Sequence, residues 1–111
     1  MSLQVDIKNS AELKIVDCAK RIIDGSLGLV LGCREINSLR LRTDRSQDKV
    51  FDGIISFVSE TDDIPLGEGV RRNFGDEYLK EKDKRAREIS KSARGELDAA
   101  CMKIINEFSK K

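Results

Sequence analysis

The stretch DEYLKEKDKRAREISKSARGELDAACMKIINEFSKK, residues 76–111, decides the fold. Its apolar residues Leu79, Ala86, Ile89, Ala93, Leu97, Ala100, Cys101, Ile104 and Phe108 follow helical steps of three and four. A helix of about 3.6 residues per turn gathers that spacing into one stripe, whereas a strand scatters it over both faces. The stretch therefore predicts one long C-terminal helix. Asp76 suits its N-cap and Glu77 its positive end, while Lys110 and Lys111 suit the negative end. Uninterrupted, such a helix is about 50 Å long, more than a small domain is wide.

The two halves of this helix differ. Residues 80–92 are almost wholly charged, with Ala86 and Ile89 as the inner face. Glu81 with Arg85 and Asp83 with Arg87 are spaced as pairs worth about 0.2–0.5 kcal/mol each. Residues 93–108 carry a stripe wide enough to be core. Gly95 lies between the halves and costs about 1 kcal/mol relative to alanine. It predicts either a close crossing by another helix or a bend. The charged half is expected to project, or to brace the segment before it.

Upstream, three further helices are expected. Val50, Phe51, Ile54, Ile55, Phe57 and Val58 make a helix apolar nearly all round and central in its bundle, opened by Asp44 and Gln47. An extended reading of residues 54–58 is the alternative, since they are β-branched and aromatic. Ser26 is placed to cap a helix through Leu27, Val30, Leu31, Cys33, Ile36 and Leu39. Gly28 and Gly32 share one face of it and permit close approach. A phosphate-binding loop is the sharper alternative for these glycines; against it, Cys33-Arg34 stands where Lys-Ser/Thr is needed. The first helix opens at Asn9 with Glu12 as a capping box, buries Leu13, Val16, Ala19, Ile22 and Ile23, and ends at Gly25. Leu3, Val5 and Ile7 alternate and predict an extended lead-in. The fold class is all-α: a single domain, residues 1–111, built as a bundle of about four helices.

Residues 60–75 are the irregular segment. Pro65 biases Ile64 toward extended backbone, and Gly67, Gly69 and Gly75 supply turns. The segment starts acidic (Glu60, Asp62, Asp63, Glu68) and ends basic (Arg71, Arg72). Long irregular segments in compact domains are often functional. The run Ser59-Glu60-Thr61-Asp62-Asp63-Ile64-Pro65-Leu66-Gly67, followed by a long helix with the late pair Ala100-Cys101, resembles an uncharacterised family of small bacterial helical proteins. The resemblance covers the second half of the chain and implies a helical bacterial domain, with no assigned activity.

Composition narrows the function classes. The chain has 21 Lys+Arg against 20 Asp+Glu, a net charge of +1, so no bulk field selects nucleic acid. A nucleic-acid reading would rest on Arg40, Arg42, Arg45, Arg71 and Arg72, with little aromatic surface for base stacking. No run of about 18 apolar residues or leader-like N-terminus occurs, and the odd set Cys18, Cys33 and Cys101 suits a reducing compartment, so a cytoplasmic protein is expected. With no histidine in the chain, the commonest general base and metal ligand are absent. A carboxylate-based metal enzyme using Glu60, Asp62 and Asp63 is the remaining enzymatic alternative, and their spacing is not that of an EF-hand. The expectation is a non-enzymatic protein-interaction module without catalytic, cofactor or metal residues. Its partner surface would be Glu60, Asp62, Asp63, Glu68, Arg71 and Arg72 with the charged half of the last helix, and an immunity or antitoxin-like protein fits that class.

Overall fold

The computed structural model describes residues 3–108, with side chains from residue 9 onward. The order is α1 (Leu3–Asp24), α2 (Leu29–Arg40), a 3-10 turn (Lys49–Phe51), α3 (Asp52–Thr61), the single turn α4 (Glu68–Arg71) and α5 (Asp76–Phe108). Among the described residues there is no strand, and the all-α bundle with a long last helix is as expected. The four long helices run up, down, up, down. Gly32 near the start of α2 lies against Ile22 near the end of α1. Arg34 of α2 reaches the end of α3 through the carbonyl oxygens of Thr61 and Ile64. Arg94 of α5 donates to the Ile22 carbonyl at 2.7 Å, which sets α5 antiparallel to α1. Phe51 meets Phe108 at 5.7 Å between ring centres, which sets α5 antiparallel to α3.

One core joins these helices. Ile15, Ala19 and Ile22 of α1, Cys33 and Ile36 of α2, Phe51, Ile54 of α3, and Leu97, Cys101 and Ile104 of α5 all expose 1% or less of their surface. The stripe read on α5 is therefore core from Leu97 onward. Its most extensive packing is on α1, with α3 second.

Several boundaries differ from expectation. Residues 3–8 are the opening turns of α1, not a lead-in, and Asn9 and Glu12 fall inside the helix. No glycine or proline interrupts the chain before Gly25, so nothing stops a helix from running through the alternating stretch. Gly25, at φ 83°, does end α1. Ser26 does not cap α2: its N–H donates to Asp24 Oδ1, and Gly28 precedes the first helical residue without a side-chain cap. Gly32 is the close-approach glycine, since a Cβ there would lie 2.5 Å from Ile22 Cγ1, whereas Gly28 has open space. The cap before α3 is Asp48, in extended backbone, accepting from the Val50 N–H at 3.0 Å, in place of the box of Asp44 and Gln47. Leu31 and Leu13 face solvent.

α5 is unbroken across Gly95, and nothing lies within 4 Å of a Cβ built there, so no helix crosses at that point. Its 33 residues run the long dimension of the molecule, 51 Å. The lysines at 110 and 111 lie outside the described residues. Two substitutions on α5 should act in opposite directions. Leu97→Ala removes a core side chain and should cost about 2–5 kcal/mol in denaturant unfolding. Gly95→Ala meets no neighbour and should stabilise by about 0.5–1 kcal/mol.

Candidate interaction surface

α5 is longer than the helices it packs on. α1 ends against it near Arg94 and α3 near Arg85, and Ala86 and Ile89 still pack on the core, so residues 76–84 overhang the bundle. The segment after α3, residues 62–75, folds back beside this overhang as an arm. Its root is buried: Ile64 exposes 3%, Pro65 is buried, and Arg34 donates to both the Thr61 and Ile64 carbonyls, tying the end of α3 and the start of the arm to α2. Gly67, at φ 85°, then turns the chain into α4.

Ion pairs lash the arm to α5. The Asp63 carboxylate accepts from Arg85 at 2.6 Å and from Lys82, and Arg85 also donates to the Glu60 carbonyl at 3.0 Å. Arg71 grips Asp83 with two bonds of 2.9 and 2.8 Å and reaches the Pro65 carbonyl at 3.3 Å. These cross-links replace the expected pairing of Arg85 with Glu81 and of Asp83 with Arg87, and they make the charged half a brace. The hydrogen bonds from Lys82 and Arg85 hold the Asp63 carboxyl down at about 2, and the Arg71 bonds lower Asp83.

The predicted residues thus divide by role. Asp63 and Arg71 are clamps. Asp62 faces a hollow of about 270 Å³ with Arg34, Leu66, Val70 and Phe74. Glu68 and Arg72 border another of about 400 Å³ with Phe74, Asp76 and Leu79. Glu60 lies apart, on a hollow it shares with Glu88 and Glu96. Among the described residues, no three His, Cys, Asp or Glu side chains form a group able to hold a metal ion.

The residues that sequence reasoning missed are apolar. Phe74 and Tyr78 stack with ring centres 4.8 Å apart and planes 13° apart, yet expose 39% and 41% of their surface. Val70 beside them is 51% exposed. Lys82 sits 5.3 Å over the Tyr78 ring, tying the aromatic pair to the same clamp. The signal was present as two aromatics four residues apart across the start of α5.

The five arginines of the nucleic-acid reading do not form one patch. Arg40 ends α2 and Arg45 lies in the turn after it: Arg40 holds Asn37 and the Ser46 carbonyl, and Arg45 holds Asp48 and Glu107 while covering the Phe108 ring. Arg71 is held by Asp83, some 24 residues from Glu107, or about 36 Å along α5. The cysteines are free and buried, as expected. Burial pushes the Cys33 thiol up to about 12 and Cys101 to about 11, away from the thiolate that reactivity requires. Among the described residues no helix is long and apolar enough to cross a membrane.

No family model, curated protein or solved structure matches this chain.

Two outcomes follow from this geometry. A carboxylate depressed from 3.8 to about 2 stabilises the fold above the higher value, and that contribution is lost as pH falls through the lower one. The Asp63 side-chain carbon should therefore titrate near 2 by NMR and return toward 3.8 in a Lys82→Ala, Arg85→Ala variant. Native protein should react slowly with a thiol reagent at Cys18, Cys33 and Cys101, and denatured protein should react rapidly at each.

Proposed function

We propose that this chain is a small non-enzymatic protein-interaction module whose arm and α5 overhang receive a protein partner. The observation that carries this reading is the exposed stack of Phe74 of the arm on Tyr78 of α5, near Val70, with the arm clamped to α5. Aromatic anchors supply most binding energy where they become fully desolvated. A surface already rigid loses less conformational entropy on binding. Asp62, Glu68 and Arg72 border the hollows that Phe74 lines with both signs of charge, a rim suited to a protein rather than to a polyanion. Within this class, an immunity or antitoxin-like role in a bacterial cytoplasm is the specific form supported by small size, mixed charge and a chain without histidine.

The test is a photo-crosslinker placed at Phe74 or, as a control, at Ser38 on α2, in the cell of origin. One protein should be captured from position 74 and not from 38. Expressed alone, that protein should arrest growth, and this chain should restore it. Phe74→Ala with Tyr78→Ala should keep the helical signal and lose the rescue. A double variant that rescues fully would overturn the reading.

A further inference from the structure

The four long helices form a ring of seams, and the seam between α3 and α5 is the slackest. It opens as a hollow of about 450 Å³ whose floor includes Val50, Gly53, Ala99 and Ala100. A second hollow of about 390 Å³, with Ile89 and Ala93 in its floor, follows toward the arm. Glu96 borders both, so they are successive parts of one groove. From Glu88 to Glu107 it extends about 28 Å along α5, or about five helical turns.

The rim is acidic. Asp52, Glu60, Glu88 and Glu96 border the groove, and none of their carboxylates forms an ion pair with a described residue. Asp48 and Glu107 share Arg45, and the cations on the rim are Lys49 and Lys103. Negative charge thus surrounds a floor of small apolar residues.

We infer that this groove seats a basic amphipathic α-helix of a partner protein. The small floor lets a helix axis approach closely, as in interhelical packing. An extended peptide would find no strand edge here to satisfy its backbone, whereas a helix bonds its own. Lysines or arginines on its flanks would meet the four unpaired carboxylates. A nucleic acid would meet the wrong charge, and a cation would find no three ligands together. The arm surface is separate, since none of Val70, Phe74 or Tyr78 lines the groove.

The full chain titrated with a synthetic peptide of about 18 residues, its leucines and alanines on one helical face and lysines on the other, tests this by NMR. Amide shifts should cluster at Gly53, Ala93, Glu96, Ala99 and Ala100. Glu88→Gln with Glu96→Gln should weaken binding at least about tenfold. Ala99→Tyr keeps the charge and fills the groove, and should weaken it comparably; if that variant unfolds, the glutamine pair, which keeps side-chain shape, carries the test. Equal binding by a shuffled peptide of the same composition, or full affinity in a folded Ala99→Tyr variant, would reduce the site to unspecific charge and overturn the inference. So would shifts at these residues that follow chain concentration without peptide, which would mark a second copy as the occupant.

Discussion

Burial of Leu97, Cys101, Ile104 and Phe108 is the constraint on which the rest of the molecule depends. These residues lie on the C-terminal half of α5 and expose 6% or less of their surface. Burying one large apolar side chain contributes about 1.5–3 kcal/mol, far more than any one surface contact here. That stripe fixes where α5 sits, and the lengths do the remainder. α5 has 33 residues, against 22, 12 and 10 in α1, α2 and α3, and its stretch before Arg85 is left without a bundle to pack on. The arm is the answer to that mismatch.

Magnitudes separate what holds the arm from what aims it. Exposed ion pairs contribute little each, and bidentate or networked pairs are the favourable cases. The pairs of Asp63 and Arg71 are of that kind, but burial of Ile64 outweighs either one. Ile64, with the two bonds from Arg34, therefore anchors the root, and the clamps set the orientation of α4 and of Phe74. Arg94 works in the same way at the end of α1, where it adds a second donor to the Ile22 carbonyl beside the Gly25 N–H. Two of the helix ends are thus tied to the bundle by arginines from other helices.

The bundle and the long helix were legible because the core stripes of α2, α3 and α5 are periodic, and periodicity reports which face is buried. Gly25, Gly32 and the three buried cysteines were legible for related local reasons. Ends were less so. Asn9 and Glu12 have the chemistry of a cap, and Ser26 does too, but a cap also needs a backbone that leaves the helix, which pattern does not reveal. Asp48 won over Asp44 because its backbone is extended beside the Val50 N–H. The charged half of α5 looked self-paired because Glu81 with Arg85 and Asp83 with Arg87 have the right spacing, whereas the arm supplied partners across space. Phe74 and Tyr78 carried no sign of exposure, since aromatic residues at helical spacing read equally as core. The α3–α5 groove arises from a slack seam, a property of two helices together that neither sequence segment displays.

The central claim is that the overhang of α5 is ordered by the arm rather than by its own helical tendency. Amide hydrogen exchange on the intact chain and on an Asp63→Asn, Arg71→Gln variant tests it most directly. The account predicts protected amides over residues 80–84 in the native chain and faster exchange there in the variant, while residues 97–108 keep their protection. Unprotected amides over residues 80–84 in the native chain, or protection unchanged there in the variant, would contradict it.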